Sequence, residues 1–202
     1  MNIKYLFVLV LLSMFSCIEK NGKEFECEKI RNFISSYCLI SGFSQVHFYE
    51  NGEYGISFNF DRMENYVNQS EVAKLYGDTA WNNCRTFAPI DCYINIQNID
   101  VITQNNFDKE HPAGTSIKDI LNLGFISYYL FIKNNYDDEY YTDYYQEKIL
   151  EDVDSLDLQL YASGTSYLKF RVKPVPGDYI FTITVTTTDG EEFSKDITVT
   201  FN

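Results

Sequence analysis

Apolar and polar residues alternate over several stretches of the C-terminal third of the chain, as they do in half-buried β-strands. The three clearest stretches are 168–172, 181–185 and 197–201. The sequences PVPG at 174–177 and DG at 189–190 separate them and favour tight turns. Runs of Val, Ile, Phe and Thr spaced in this way indicate two packed sheets. We therefore predict a mainly β fold, with an immunoglobulin-like β-sandwich over residues 88–202.

The N-terminal part of the chain shows helical spacing followed by a hairpin pattern. Apolar residues recur every three or four positions over 25–38, which predicts an amphipathic helix. The runs at 45–49 and 54–60 then flank Asn51 and Gly52. An Asn-Gly pair favours the positive φ angles of a type I′ turn, so these runs predict a β-hairpin.

A second short helix is predicted after the hairpin. Ser70–Tyr76 has helical character, with Ser70 as the N-cap and Gly77 at the C-terminal end. We expect this small N-terminal helix-plus-hairpin segment, 24–87, to pack against the sandwich.

The middle of the chain has mixed patterns. Alternation beginning at Cys92 slips by one residue before Ile99, as a β-bulge produces. The apolar run Phe125–Ile132 predicts a buried strand, and the leucines at 156–160 alternate like a strand. Tyrosines with i, i+4 spacing over 134–148 predict a helix with a tyrosine face.

The extreme N-terminus has the pattern of an export signal. A lysine precedes the apolar run Tyr5–Phe15, and Ser16 follows directly before Cys17. The run is shorter than the roughly 20 residues of a spanning helix and has signal-peptide length. We predict a lipoprotein signal peptide over 1–16, lipidation at Cys17 and a tether over 17–23. The alternatives are an ordinary signal peptide cut elsewhere and a short buried core segment.

The cysteine count fits an exported lipoprotein. The chain has five cysteines, and lipidation of one leaves four for two disulfides. Three pairings are open, and the sequence does not choose among them. We favour the local pairs, Cys27 with Cys38 and Cys84 with Cys92. Their spacing is unlike that of structural zinc sites, and no histidine lies near them.

The chain is acidic, with a net charge of −13. Phosphate backbones would be repelled, so nucleic acid is excluded as a partner class. The same charge disfavours docking on anionic lipid headgroups. The 17 tyrosines and 16 phenylalanines suit sugar or protein binding. The composition also fits an AT-rich genome, since Asn, Ile and Lys are plentiful too.

Two segments, together with the lipobox-like N-terminus, resemble the sequences of a known protein family. The segments are IDVITQNNFDKEHPAGTSIKDIL at 99–121 and the ending VPGDYIFTITVTTTDGEEFSKDITVTF. Together they resemble an uncharacterised family of Bacteroidetes cell-envelope lipoproteins. The resemblance implies an exported protein with a C-terminal immunoglobulin-like sandwich. It implies no activity, because none is assigned to that family.

Two tripeptides resemble the O-glycosylation pattern of Bacteroidetes, in which Asp precedes Ser or Thr and an apolar residue. They are Asp78-Thr79-Ala80 and Asp154-Ser155-Leu156. Thr79 and Ser155 are therefore candidate O-glycosylation sites. The alternative is a chance match, since aspartate is frequent in this chain.

The sequence indicates no catalytic centre. His47 is predicted in a strand and His111 in an exposed turn, where structural and surface roles are expected. No G-x-S-x-G surrounds a serine, and no pair of acids is marked out for glycoside hydrolysis. The acidic clusters at 137–143 and 152–157 lack the order of an EF-hand. We predict no catalytic residue, no metal and no cofactor.

The candidate ligand-binding residues are aromatic. Aromatic faces pack on the C–H surfaces of sugars, while carboxylates and amides hold the hydroxyls. The candidates are Tyr136, Tyr140, Tyr141, Tyr144 and Trp81. The alternative is a helix that packs these tyrosines on the sandwich.

The expected function follows from these features. We expect a non-catalytic, lipid-anchored protein of the cell envelope, in the outer membrane, that binds a glycan or an envelope protein or acts in adhesion. A structural subunit of a surface assembly is the alternative, and a hydrolase ranks last.

Overall fold

The computed structural model describes residues 32–50, 54–63, 67–81, 90–137, 139 and 145–202. The predicted signal peptide and tether, with Cys17, lie outside this part of the chain. In the described part, no helix is long and apolar enough to cross a membrane.

The described residues form ten β-strands, two short α-helices and two 3-10 helices. The strands are β1 (Ser36–Glu50), β2 (Tyr54–Met63), β3 (Asp91–Tyr93), β4 (Ile96–Thr103), β5 (Leu121–Ile126), β6 (Tyr145–Ile149), β7 (Tyr161–Ala162), β8 (Thr165–Phe170), β9 (Gly177–Thr187) and β10 (Glu192–Phe201). The α-helices are α1 (Gln69–Tyr76) and α2 (Tyr129–Lys133), and the 3-10 helices are Lys118–Ile120 and Leu150–Asp152.

The strands form two sheets. Seven strands pair in the order β6-β5-β8-β2-β1-β3-β7, and three pair in the order β10-β9-β4. β1 and β3 are parallel, whereas the other strand pairs among the described residues are antiparallel. Ser127, just after β5, makes an isolated bridge with Tyr161 of β7. Because β5 and β7 lie near opposite ends of the strand order, this bridge shows that the large sheet curls.

The main core lies between the two sheets and follows from the alternation in the sequence. On β9, Tyr179, Phe181, Ile183 and Val185 are buried, while the threonines between them lie half-buried on the outer face. Burying an apolar side chain of this size stabilises by about 1.5–3 kcal/mol. Phe181 also contacts Phe170 of β8, with ring centroids 5.6 Å apart, so the two sheets interlock there.

A second core lies on the other side of β1 and β3. Tyr37 is directly opposite Cys92 in the parallel register, and both point into this second core. Their neighbours Cys38 and Tyr93 point into the main core. β1 is therefore apolar on both faces where it pairs with β3. The second core contains these residues: Phe33, Ile34, Tyr37, Ala73, Trp81, Cys92, Tyr128, Phe131, Ile132 and Leu160.

The structure confirms the mainly β, two-sheet class and several elements. The predicted hairpin is the β1–β2 pair, in which Glu50 lies opposite Tyr54; its turn lies outside the described residues. β8 and the β9–β10 hairpin match the alternating C-terminal stretches. The predicted bulge is the register shift between Ile96 and Asn98 where β4 pairs with β9.

The predicted helix over 25–38 is wrong over residues 32–38, since 32–35 are not helical and 36–38 belong to β1. A strand buried on both faces has no polar alternation, and its apolar residues imitate helical spacing. The predicted N-cap of α1 is wrong by two residues. Asn68 is the cap, and its side chain accepts a hydrogen bond from Glu71 N.

Three predictions between 125 and 160 are corrected. The apolar run 125–132 contains the end of β5 and the buried face of α2, since periodicity cannot separate a buried strand from a short helix. Asn135 and Tyr136 have φ angles of 56° and 61°, which excludes a continuous helix over 134–148, and β6 follows at 145. Residues 156–160 form turns, with Leu160 at φ 49°.

The N-terminal hairpin occupies the middle of the large sheet. β2 pairs with β8, and β1 pairs with β3. The hairpin is therefore part of the sheet, which differs from the predicted division into 24–87 and 88–202.

Phe181→Ala removes a fully buried ring between the sheets, and we expect it to lower the free energy of unfolding by about 3–5 kcal/mol. Urea denaturation measures this loss. Ile180→Ala, on the outer face of the same strand and 37% exposed, serves as control and should cost less than about 0.5 kcal/mol. Equal losses in the two variants would contradict the assignment of the faces.

Candidate functional site

A fully buried carboxylate, Asp78, lies at the centre of the second core. It follows α1, which ends at Gly77 in the left-handed conformation at φ 79°. Asp78 N donates to Ala73 O at 2.8 Å, and this bond turns the chain inward. The side chain of Asp78 is 0% exposed. A charge at this depth is costly unless hydrogen bonds compensate it.

Donors from three distant segments surround the Asp78 carboxylate. Phe33 N lies 2.7 Å from Oδ1, and Ile34 N lies 2.8 Å from Oδ2. The hydroxyl of Tyr37 donates to Oδ2 at 2.6 Å, and that of Tyr136 to Oδ1 at 2.8 Å. The carboxylate thereby joins the start of the described chain, β1 and the segment after α2.

The two tyrosines stay protonated in this environment. Burial raises the pKa of Tyr37, and its hydrogen bond to the Asp78 carboxylate raises it further. The same two causes, in the same order, raise the pKa of Tyr136. Both hydroxyls therefore remain donors over the physiological pH range.

The rings of Tyr136 and Trp81 contact each other, and they pack as part of the second core. Their rings are 5.3 Å apart, and Trp81 also packs edge-on against Phe33 at 5.0 Å. Trp81 is only 5% exposed, so its assignment as a ligand-binding residue is corrected. Tyr136 is half-buried and its hydroxyl is bonded to Asp78. Tyr140, Tyr141 and Tyr144 lie outside the described residues.

A cleft opens next to Asp78, between α1 and the segments that contain Asn32 and Thr79. We call it the α1 cleft; its volume is about 480 Å³. Its lining comprises Asn32, Gln69, Ser70, Ala73, Lys74 and Thr79. Four of these residues come from successive turns of one helix. Buried Ala73 supplies an apolar floor, and the other five supply hydroxyl, amide and ammonium groups.

The walls of the α1 cleft are fixed by hydrogen bonds. The amide of Gln69 accepts from Tyr37 N at 2.7 Å and donates to Tyr37 O at 2.8 Å, which ties α1 to β1. Thr79 follows Asp78 directly, and Asn32 precedes Phe33. The two walls that face α1 are therefore both held by the Asp78 carboxylate.

Both candidate glycosylation residues, Thr79 and Ser155, are exposed. Ser155 lies in a turn whose Asp154 Oδ1 accepts hydrogen bonds from Leu156 N and Asp157 N at 2.8 and 3.0 Å. In the other tripeptide, the Asp78 side chain is buried. Their accessibility permits modification, which stays a prediction.

Cys38 and Cys92 are both buried, and no disulfide joins two cysteines within the described part of the chain. They point to opposite faces of the β1–β3 pair, so a bond between them is excluded. This removes one of the three pairings. Cys27 and Cys84 lie outside the described residues, so the local pairs stay predictions. Burial raises the pKa of Cys92 well above its usual value, which makes this thiol unreactive.

His111 is held between two carboxylates at the start and end of the loop after β4. Its Nδ1 lies 2.7 Å from Asp108 Oδ1, and its Nε2 lies 3.0 Å from Asp119 Oδ1. Burial lowers the pKa of His111, but the hydrogen bonds to both carboxylates outweigh burial and raise it overall. His111 is 7% exposed, which corrects the expected surface role. Because each ring nitrogen lies within hydrogen-bond distance of a carboxylate, His111 holds Asp108 and Asp119 together. We call this structural arrangement the His111 clamp. The side chain of His47 lies outside the described residues.

A second concave surface lies beside α2. We call it the leucine groove; its volume is about 190 Å³. Leu130 and Leu156 line it and are 51% and 52% exposed. Gln146 and Asp154 lie in the same lining, so the groove combines apolar walls with polar groups.

No sequence pattern marks the residues that shape the α1 cleft. Asp78 belongs to a candidate glycosylation tripeptide, but no local pattern identifies its partners, since Tyr136 is 58 positions away. In the sequence, Gln69 and Lys74 have the character of ordinary helix-surface residues. The available signal was an aspartate directly after a helix-ending glycine, followed by a lone tryptophan.

Comparison with known proteins gives one match. A family model described as a domain of unknown function (DUF5034) matches residues 51–198, well over half of the chain. No curated protein and no solved structure matches. Among the described residues, no group of His, Cys, Asp or Glu is arranged to hold a metal ion.

Tyr136→Phe removes one hydrogen bond to a buried carboxylate, and we expect the free energy of unfolding to fall by about 1.5–3 kcal/mol. Asp78→Ala leaves several buried donors unsatisfied and should cost more than about 3 kcal/mol. In the Asp78→Ala background, Tyr136→Phe should lose most of its effect, as urea denaturation of the double variant will show.

Tyr129→Phe is the matched control for Tyr136→Phe. Tyr129 is half-buried on α2, and we expect a change within about 0.5 kcal/mol. Additive effects of Asp78→Ala and Tyr136→Phe would contradict the proposed role of this bond.

The His111 clamp makes stability depend on pH. Its folded pKa lies above the unfolded value of about 6.5, so its contribution is complete below that pH and is lost as pH rises through the folded pKa. We expect His111→Gln to flatten the loss of stability as pH rises above about 6.5. Urea denaturation across this range measures it. Parallel pH profiles of the two proteins would contradict the clamp.

Proposed function

The chain belongs to the DUF5034 family, and we propose that it is a non-catalytic, lipid-anchored binding module of the cell envelope whose ligand is a glycan. The proposed lipid anchor and cell-envelope location are supported by the apolar run Tyr5–Phe15 followed by Ser16 and Cys17. The resemblance to an uncharacterised family of Bacteroidetes cell-envelope lipoproteins supports the same proposal, in which the outer membrane is the location. The glycan site is the α1 cleft.

The observation that carries the proposal is a polar cleft whose opposite walls are held by one buried carboxylate. Its volume of about 480 Å³ lies in the range of ligand-binding pockets, about 300–1,000 Å³. Side chains of Ser70, Thr79 and Asn32 offer hydrogen bonds, and Ala73 offers a small apolar floor. A sugar presents hydroxyls around a C–H face, which is the complementary pattern.

Preorganisation supports binding at this cleft. A site whose walls are already ordered loses little conformational freedom when a ligand enters, so more of the contact energy appears as affinity. The hydrogen bonds of Asp78 and Gln69 supply that order before any ligand is present.

Two features of the described residues support a binding role over turnover. The ring nitrogens of His111 are both held by carboxylates, and Cys92 is a buried thiol with a raised pKa. Neither group is poised to transfer a proton to a ligand or to attack it. The described lining residues of the α1 cleft include no acid–base pair.

The leucine groove favours a second candidate, binding of an envelope protein. Leu130 and Leu156 flank one concavity and leave about half of their surfaces exposed. An apolar side chain of a partner protein fits between them, next to the carboxylate of Asp154.

Glycan-array binding by the full chain in detergent tests the proposal. We expect Thr79→Val and Ser70→Ala each to weaken binding about three- to tenfold, because each removes one hydroxyl from the lining. Ser155→Ala is the matched control, an exposed serine outside the cleft lining, and should leave binding unchanged.

Array binding that is insensitive to both cleft variants would contradict the glycan site. Loss of binding to an envelope protein in Leu130→Ser and Leu156→Ser, with Leu75→Ser unaffected, would instead support the protein-binding candidate. Leu75 is an exposed leucine outside the groove.

A further inference from the structure

The charge of the α1 cleft is opposite to that of the whole chain. The protein has 29 acidic and 16 basic residues among 202. Among the described residues that line the cleft, none is acidic and Lys74 is basic. In a chain this acidic, a described lining that offers one ammonium and no carboxylate favours an anionic group in the ligand.

Lys74 is available to such a group. It forms no ion pair with any described residue, and its side chain is exposed on the outer side of α1. Glu71, one turn earlier on the helix, does not line the cleft. An ammonium carries three donors and no acceptor, so it satisfies an oxyanion directly.

The remaining lining groups are neutral. Ser70 and Thr79 carry hydroxyls that donate and accept, which suits the hydroxyls of a sugar ring. One ammonium matches one negative charge. A doubly charged phosphate would retain an uncompensated charge beside a protein of net −13.

We propose that the α1 cleft binds a sugar that carries a single negative charge, with its oxyanion at Lys74 and its hydroxyls at Ser70 and Thr79. This inference rests on the proposed glycan function and specifies the ligand class. A uronic acid and a sulfated sugar share the required chemistry.

Titration of the full chain in detergent with matched sugars tests the inference. D-galacturonate has a carboxylate at C6 where D-galactose has a hydroxymethyl group. D-galactose 6-sulfate carries a sulfate ester on the oxygen of that group. The titrations, followed by NMR, are run at 0.15 M salt, where distant charges are screened beyond about 8 Å. We expect at least one anionic sugar to bind about tenfold tighter than galactose.

Lys74→Gln should abolish this preference and leave the weaker binding of galactose in place, because glutamine keeps a hydrogen-bonding group without the charge. Lys133→Gln is the matched control. Lys133 lies on α2 with its Nζ 5.5 Å from the centre of the Tyr129 ring, and its loss should leave the preference unchanged.

The outcomes separate this inference from the function on which it rests. Equal affinity for the three sugars, or a preference that survives Lys74→Gln, would overturn the anionic ligand class while leaving glycan binding intact. Failure of all three sugars to bind would overturn both. Tighter binding of either galacturonate or the sulfated sugar supports the inference and identifies which anion is recognised.

Discussion

The hydrogen bonds of the Asp78 carboxylate determine how three distant parts of the chain meet. Its partners are the backbone of Phe33 and Ile34, the hydroxyl of Tyr37 and the hydroxyl of Tyr136. A buried charge without these donors would be far less stable than one in water, so the segments are interdependent. The second core and the α1 cleft both depend on this arrangement, since the same bonds that order the aromatic rings also place the cleft walls.

The fold was predictable where one face of a strand meets solvent. The alternation on β9, and the pairing of β1 with β2 as a hairpin, each follow a local sequence pattern that tertiary packing did not override. Prediction failed where both faces are buried, as in β1 near Tyr37 and Cys38, because such a strand has no polar positions to mark its period. It also failed in the run 125–132, where one apolar stretch serves a strand and then a helix.

The candidate site was harder to predict than the fold, for a physical reason. Composition identifies aromatic residues such as Trp81 and Tyr136, but the same rings that suit a ligand also fill a core. Only the structure shows that these two rings pack against each other in the second core. The residues that line the α1 cleft, including Gln69 and Lys74, are typical of any helix surface, and their grouping depends on long-range bonds to Asp78 and Tyr37.

The strand order also has a consequence for how the chain folds. β2 lies between its sequence neighbour β1 and β8, which begins at Thr165, so most of the sequence must be available before the middle of the large sheet is complete. Pairings of such long range carry a high loop-closure cost and slow folding. A chain that emerges N-terminus first therefore presents the β1–β2 hairpin with open edges for most of its synthesis, and any factor that shields those edges would be needed early.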